Sequence, residues 1–318
     1  MRRAGRRRNP SAPARRMIEP RGATCQSVAM SITNRLAAYL DRLGLARAPA
    51  PDTAGLAALQ AAHRRAIAFE NLDIRLGRPI RIDGDSAFDK LVTRRRGGYC
   101  FEQNRLFSDM LAALGLPNRP LLARVWMGAA PDIVPPRTHV LLLTELDGAP
   151  WIADAGFGGS FVPPMPLVDG TGRQTPDGAH HRLRKVGETG DLGGMWLLER
   201  AGPSAMTDGR AAPHGDWQPQ YSFDLSPVAP VDLEQGNHWT STRPDTRFTA
   251  IHVVSIVLPD GFAALSEAEL SIHRAGASER RTITDPADYA RALRDLFALD
   301  LPEAEVARLP LFAAAPGA

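Results

Sequence analysis

The stretch from Thr138 to Gly158, THVLLLTELDGAPWIADAGFG, constrains the fold of this chain more than any other. Two apolar runs flank Asp147-Gly148, and this dipeptide between apolar runs is a strong signal for a two-residue hairpin turn. With these two residues at the tip, Leu146 faces Ala149. The sequence therefore predicts an apolar antiparallel hairpin in this part of the chain.

The same register brings a histidine and an aspartate together. Counting outward from the turn, Leu141 faces Asp154 and His139 faces Gly156. Side chains alternate between faces, so His139 and Asp154 share a face as diagonal neighbours, about 7 to 8 Å apart at the backbone. A shift of one residue in the turn would put them on opposite faces. Both could instead end their strands facing water, but the apolar hairpin favours a working imidazole–carboxylate pair.

Cys100 is placed where a reactive thiol could be. It follows two glycines in RRRGGYCFEQN and precedes a stretch with helical spacing. If a helix begins near Phe101, the free N–H groups and the dipole at its N-terminus favour a thiolate. Gly97 and Gly98 would let a partner approach the backbone closely. A catalytic thiol also needs an oriented imidazole, which the hairpin could provide, whereas a buried structural cysteine is the alternative.

The order of apolar patterns divides the chain into three parts. Helical spacing dominates residues 30–115, strands follow over 116–219, and a mixed unit covers 220–318. Within the mixed unit, FTAIHVVSIVLP reads as one strand, and Asp285 and Pro286 read as the N-cap and first residue of a C-terminal helix. Helices, then strands, then a mixed unit predict an α+β fold.

Positive charge is concentrated in the first 29 residues, which hold eight arginines and a single acid, Glu19. The arm is therefore +7 and the rest of the chain −4, although the whole chain is +3. The pI near 9.2 belongs to the arm and is no argument for a nucleic-acid partner. We interpret residues 1–29 as a disordered basic arm or a mis-assigned start, in which Cys25 has no role.

Several other classes of site and location fit the sequence poorly. Nothing approaches 18 consecutive apolar residues, so no membrane span is expected. Two cysteines cannot form a disulfide framework, which favours a cytoplasmic setting. No metal site is predicted, because HxxxH and HExxH spacings are missing. The GFGGS stretch, residues 156–160, lacks the lysine of a phosphate loop, and GxSxG is absent.

Four ordered motifs resemble those of the arylamine N-acetyltransferases. RRRGGYCFEQN resembles the nucleophile motif of that family, and RTHVLLLTELDGAPWIADAGFG resembles the segment with its His and Asp. HRRAIAFENLD is similar to the family's Pro-Phe-Glu-Asn-Leu motif, and NHWTSTRPDTRFT to a motif of its third domain. The resemblance runs from about Ile32 to the C-terminus and covers nearly all of the chain outside the arm.

The resemblance implies a triad of Cys100, His139 and Asp154 in a cysteine-protease-like core. It implies an N-terminal helical bundle, a central β-barrel and a C-terminal α/β lid, with the site in the cleft between them. It also implies acetyl-CoA as a co-substrate, no permanently bound cofactor, and an arylamine, arylhydrazine or N-hydroxyarylamine as acceptor.

Five further positions follow from the family pattern. Phe157 and Phe248 would line the apolar acceptor pocket. Thr138 and the Gly158-Gly159 loop would lie near the coenzyme. None of these positions follows from spacing alone.

The resemblance also places Glu70 beside the triad, as a structural support paired with Arg94 or Arg96. Three residues depart from the family pattern: Ala68 for a proline, Gln103 for a leucine and Ala155 for a valine. These departures leave the chemical groups of the triad intact and affect local packing.

The expected reaction is N-acetylation by a ping-pong route, in which His139 takes the proton of Cys100 or holds a preformed thiolate–imidazolium pair. One alternative is an amide synthase that closes an aromatic polyketide from a carrier-bound thioester. A thiol hydrolase or protease and a non-catalytic binding protein are further alternatives. We expect small-molecule substrates, with no nucleic-acid or membrane partner, and the oligomeric state is left open.

Overall fold

The computed structural model describes residues 23–130, 132–211 and 216–313. Most of the basic arm, residues 1–22, lies outside the described residues. Helix α1 begins at Ala23, so residues 23–29 are helical, and the helical part starts before the expected boundary at residue 30.

Helices dominate the first part of the described chain. They are α1 (Ala23–Leu43), α2 (Thr53–Ala66), α3 (Leu72–Arg75), α4 (Gly84–Phe88), continued by a π-helical turn over Asp89–Thr93, and α5 (Cys100–Ala113). Their apolar faces meet in a core that contains Leu59, Phe107 and Leu111. Leu142 and Trp151 of the hairpin belong to the same core. This shared burial fixes α5 against the hairpin.

A short strand, β1 (Phe69–Glu70), interrupts the helices after α2. The helical pattern predicted for residues 30–115 is wrong at these two residues. The Glu70 N–H donates to Gly98 O, and Phe69 lies opposite Ser255 of a distant strand. Phe69 and Glu70 therefore complete a sheet whose other strands come from the C-terminal part, and local periodicity carries no signal for such pairing.

An antiparallel sheet built from the middle of the chain nearly closes into a barrel. Its strands are β2 (Asn118–Val125), β3 (Arg137–Leu146), β4 (Ala149–Ala153), β5 (Met165–Pro166), β6 (Gly172–Gln174), β7 (His180–Lys185), β8 (Trp196–Ala201) and β9 (Gln218–Phe223). Within the described residues they pair in the order β5-β4-β3-β2-β9-β8-β7-β6. The Leu167 N–H donates to Pro150 O and the Gly170 N–H to Leu183 O, so the segment after β5 bridges the two edges.

The predicted hairpin is confirmed as β3 and β4, with Leu146 opposite Ala149. Asp147 and Gly148 have φ values of 52° and 73°, as the two central residues of a type I′ turn require. The turn chemistry therefore set the register that the sequence predicted.

The strand pairing stops one step short of the prediction. Leu142 pairs with Ala153, but β4 ends there, and Asp154 does not extend the ladder. The Asp154 N–H instead donates to Oε1 of Gln60 in α2 at 2.9 Å. The aspartate therefore leaves the strand to be held by the helical part.

The C-terminal part combines helices with the second sheet. Its elements are α6 (Pro230–Thr242), α7 (Arg247–Ala250), β10 (Val253–Leu258), β11 (Gly261–Ser266), β12 (Glu269–Arg274), β13 (Ala277–Thr282), α8 (Pro286–Phe297) and α9 (Glu303–Val306). The described strands of this sheet pair in the order β1-β10-β11-β12-β13. Asp285 caps α8 by accepting from the N–H groups of Ala287 and Asp288, as predicted. Only the second half of the predicted strand FTAIHVVSIVLP is a strand, which is β10. The first half begins with Phe248, which lies in α7.

Candidate active site

A cavity of about 720 Å³ opens where the helices, the barrel and the C-terminal part meet. Its lining includes Cys100 at the start of α5, Thr138 and His139 of β3, and Phe248 of α7. The volume is in the range of small-molecule sites. The predicted thiol and imidazole therefore face the same space.

His139 and Asp154 form the predicted pair. The His139 Nε2 donates to Asp154 Oδ2 at 2.8 Å, and the two residues are only 2% and 1% exposed. Because a carboxylate can only accept, this bond fixes the ring tautomer and leaves Nδ1 of His139 able to receive a proton.

Asp154 keeps its charge although it is buried. Burial alone would raise its pKa, but His139 and the hydrogen bonds from Asn104 and Gly156 hold the pKa of Asp154 below its usual value. An ionised carboxylate in this position stabilises a positive charge on His139 when the ring takes up a proton.

Cys100 is the first residue of α5 and is 2% exposed. Burial raises the pKa of its thiol above the ordinary value, although backbone N–H groups of Val140 and Phe101 favour the charged sulfur. Sγ donates to Thr138 O at 3.6 Å. The helix start therefore favours the thiolate while burial opposes it, and a neutral thiol passes its proton to a base when the sulfur reacts.

Gly156 lets the loop after β4 pack against the first turn of α5. A Cβ added to Gly156 would lie 2.9 Å from Cys100 Cα and 2.7 Å from Asn104 Nδ2. This close backbone approach brings the aspartate loop to the cysteine helix.

Asn104 is a site residue that the sequence reading missed. Its Nδ2 donates to Asp154 Oδ1 at 3.0 Å and to Val140 O at 2.6 Å, and its Oδ1 accepts from the Ala155 N–H at 3.0 Å. Asn104 lies four residues after Cys100, on the same helix face. The spacing of four residues could have indicated Asn104 from the sequence. Nothing in the sequence indicated that Gln60 of α2 would accept a hydrogen bond from the Asp154 N–H.

Aromatic rings surround the imidazole. The Phe157 ring packs edge-on at 5.2 Å from the His139 ring, and the Tyr221 ring lies 5.0 Å away. The Phe248 ring lies 5.8 Å from the Phe69 ring, and both residues line the cavity. Phe157 and Phe248 both line the cavity, and Tyr221 of β9 was not predicted.

The two glycines expected near a coenzyme lie in different surroundings. Gly158 lines the cavity, and a Cβ added to it would meet the Phe69 ring at 2.5 Å. Gly159 is not part of the cavity lining formed by the described residues. A Cβ added there would lie within 3.1 Å of Met127, Arg210 and the Phe157 ring.

A buried ion cluster lies beside the start of α5. It consists of Glu70, Asp73, Lys90, Arg96 and Glu102. Arg96 Nη2 is 3.2 Å from Glu70 Oε1, and Lys90 Nζ is 2.8 Å from Glu102 Oε1. Arg94 pairs with Asp89 at the surface instead. Of the two arginines considered from the sequence, Arg96 is therefore the partner of Glu70.

Among the residues that the structure describes, no group of three or more His, Cys, Asp or Glu side chains is placed to hold a metal ion. In the same residues, no helix combines the length and the apolar character needed to cross a membrane.

Comparisons of sequence and structure match this chain to one group of known proteins. The profile of a family described as N-acetyltransferase matches residues 52–306. The arylamine N-acetyltransferase of Mycolicibacterium smegmatis is 36% identical over 271 residues, which cover 84% of this chain and 92% of that protein. The solved arylamine N-acetyltransferase of Salmonella typhimurium is 34% identical, covers 86% of this chain and 97% of its own, and gives a TM-score of 0.77. The Mycobacterium marinum enzyme in complex with CoA is 34% identical, with coverages of 86% and 98% and a TM-score of 0.75.

Proposed function

This chain belongs to the arylamine N-acetyltransferase family of acyltransferases, and from that premise we propose that it moves an acetyl group from acetyl-CoA to an aromatic amine or hydrazine through an acetyl-cysteine at Cys100. The observation that carries this proposal is the buried 2.8 Å bond between His139 and Asp154, beside a cavity that Cys100 also lines. The CoA complex of the related M. marinum enzyme supports a CoA-type donor.

In the first half-reaction, Nδ1 of His139 takes the proton of Cys100 as the sulfur attacks the thioester carbonyl. The bond between the carbonyl carbon and the CoA sulfur breaks, and His139 returns the proton to the departing CoA thiolate. Asp154 holds the ring in the tautomer that this transfer needs and stabilises the transient imidazolium. This general-base route and a preformed thiolate–imidazolium pair lead to the same acetyl-cysteine.

In the second half-reaction, the amine nitrogen attacks the acetyl-cysteine carbonyl and His139 takes a proton from that nitrogen. The Cys100 sulfur leaves and recovers its proton from the imidazolium. One thioester is exchanged for another at nearly equal energy in the first step, so the amide formed in the second step drives the transfer.

The cavity lining offers groups for both substrates. Phe157 and Phe248 provide an apolar wall for the ring of the acceptor. Thr138 and Gly158 line the same cavity as Cys100 and are proposed, together with the neighbouring Gly159, to lie near the coenzyme. An apolar site of this kind also limits hydrolysis of the acetyl-cysteine.

Initial-rate kinetics with acetyl-CoA and a panel of arylamines and hydrazines test the proposal. A ping-pong route predicts parallel double-reciprocal lines when both substrates are varied. Cys100→Ala and Cys100→Ser variants should lose transfer while keeping the wild-type circular-dichroism spectrum. Intersecting lines, or transfer that survives in the Cys100→Ala variant, would overturn the acetyl-cysteine route.

A further inference from the structure

Arg64 of α2 is a buried arginine whose charge is not paired. The residue is only 1% exposed, and its two Nη atoms have no hydrogen-bond partner among the described residues. Arg96 is buried as well, but it pairs with Glu70 and Asp73. Because a buried charge without a partner lowers the stability of a fold, the presence of Arg64 indicates a role other than stability.

The direction of its side chain places Arg64 beside the loop that carries Asp154. Arg64 lies one turn after Gln60 on the same face of α2, and both residues are buried. Helical side chains lean towards the N-terminus of their helix, so the Arg64 side chain extends over the turn that contains Gln60. Gln60 Oε1 accepts from the Asp154 N–H at 2.9 Å, and Gln60 Nε2 donates to Val162 O at 2.7 Å. The guanidinium is therefore held near the aspartate without contacting it.

Asp154 is the acid whose charge acts on Arg64. Burial lowers the pKa of Arg64 to about 10, and the negative charge of Asp154 acts in the opposite direction, so Arg64 is protonated at neutral pH. His63, the next titratable group of α2, supplies no counter-charge. Burial lowers its pKa to about 3, and its ring nitrogens hydrogen-bond to Tyr39 and Gln103.

The other titratable groups around the triad oppose a negative charge on the sulfur or stay neutral. Burial, and then the charges of Asp154 and Glu102, raise the pKa of the Cys100 thiol. Tyr221 of β9 stays neutral, because burial raises the pKa of its hydroxyl. The two cations of the ion cluster beside α5 are paired with acids of the same cluster. Arg64 therefore offers a positive charge that these groups do not.

We propose that Arg64 is a positioning residue of this active site, whose buried charge acts through Asp154 to stabilise the negatively charged form of the triad. The inference deepens the proposed function and rests on it. The triad carries one net negative charge both with a neutral thiol and imidazole and as a thiolate–imidazolium pair. An added proton makes it neutral and inactive, so a nearby cation lowers the pH at which activity is lost.

The test measures how the rate of Cys100 alkylation by iodoacetamide depends on pH, because the thiolate is the form that reacts. The alkylated peptide is mapped, so that Cys25 is not counted. We expect the midpoint of the profile to rise by about 0.5 to 1 pH unit in Arg64→Met, which is a three- to tenfold lower rate below the midpoint. Arg64→Lys should keep most of the wild-type behaviour. Arg65→Met, which removes an exposed charge from the same helix, should leave the midpoint unchanged.

Urea unfolding separates this electrostatic role from a structural one. Because the charge of Arg64 is buried and unpaired, Arg64→Met should be at least as stable as the wild type. A wild-type midpoint of alkylation in Arg64→Met, or an equal shift in Arg65→Met, would refute the proposal. If Arg64→Met does not fold, Arg64→Gln is held to the same criteria.

Alkylation needs neither acetyl-CoA nor an acceptor, so it tests Arg64 independently of acetyl transfer. A midpoint that rises in Arg64→Met, in a protein that transfers no acetyl group, would support the role of Arg64 and count against the proposed function. Where transfer is observed, the acid limb of the pH profile of kcat/KM should move in the same direction as the alkylation midpoint. An acid limb that stayed in place in Arg64→Met would contradict the inference.

Discussion

The carboxylate of Asp154 is almost fully buried, and three groups donate hydrogen bonds to it: the His139 ring, the Asn104 amide and the Gly156 N–H. These contacts keep the carboxylate charged and leave Nδ1 of His139 as the nitrogen that can take up a proton. An uncharged amide of the same shape would keep the packing but would neither hold this tautomer nor stabilise the imidazolium.

Asp154→Asn should therefore lower kcat for acetyl transfer by roughly 10²- to 10⁴-fold, with a smaller change in the KM of the acceptor. The kinetics are measured near neutral pH, and urea unfolding checks that the variant is folded. A folded variant that retained more than about a tenth of the wild-type kcat would contradict the role given to Asp154.

At this scale, the three side chains of the proposed triad could be predicted because each carries a local signal. Cys100 follows two glycines at a helix start, and the Asp147-Gly148 turn sets the positions of His139 and Asp154. The support from Gln60 gave no such signal, because it reaches the Asp154 N–H only through a tertiary contact between α2 and the loop after β4.

At the scale of elements, the approach of the loop after β4 to the start of α5 depends on Gly156. Gly156→Ala would place a methyl group within 2.9 Å of the Cys100 backbone, where no side chain can move aside. We expect a loss of kcat of about tenfold or more, because a shift of about 1 Å in the site can cost 10²-fold. Gly193→Ala is the matched control, since a Cβ there meets nothing within 4 Å. Equal activities of the two variants would disprove the close-approach argument.

The ion cluster beside α5 predicts a pH dependence of stability. Burial would raise the pKa of Asp73, but Lys90 and then Arg96 hold it well below its usual value. A depressed pKa stabilises the fold above the unfolded-state value of about 4, and this contribution is lost as the pH falls below it. Asp73→Asn should lower the free energy of unfolding by about 3 kcal/mol near neutral pH. The difference from wild type should shrink below about pH 4. Urea unfolding at a series of pH values measures this difference in the free energy of unfolding. A difference that did not change with pH would contradict the role assigned to Asp73.

Elements with their own periodicity or turn chemistry were predictable, and elements made by distant pairing were not. The hairpin and the Asp285 cap of α8 follow from neighbouring residues. Strand β1 exists because Glu70 pairs with Val254, far along the chain. The departure at Gln103 also proved structural, since its Nε2 donates to Ala68 O and Gly98 O and ties α5 to the chain before β1.

At the scale of the whole molecule, Asn71 joins the helical part to the C-terminal wall of the cavity. Its Nδ2 donates to Phe248 O and Ile251 O, each at 2.8 Å, and its Oδ1 accepts from the Val253 N–H at 2.8 Å. The position of Phe248 in the cavity therefore depends on a residue 177 positions earlier. The order of the three parts was visible in the sequence, but a contact of this separation was not.

Asn71→Ala should lower the free energy of unfolding by about 2 to 4 kcal/mol and raise the KM of the acceptor, because the α7 segment that carries Phe248 loses its anchor. Asn118→Ala is a matched control: its side chain also hydrogen-bonds at both ends, to Ser108 and Leu116, away from the cavity. That variant should be destabilised with an unchanged acceptor KM. The prediction fails if both variants change KM alike.

The most direct measurement of the central claim is the intact mass of the protein after incubation with acetyl-CoA alone, followed by peptide mapping. The account predicts one added acetyl group, located on Cys100, absent from the Cys100→Ala variant, and released when an aromatic amine is added. An unmodified wild-type mass, or an acetyl group mapped to any other residue and still present in the Cys100→Ala variant, would contradict it.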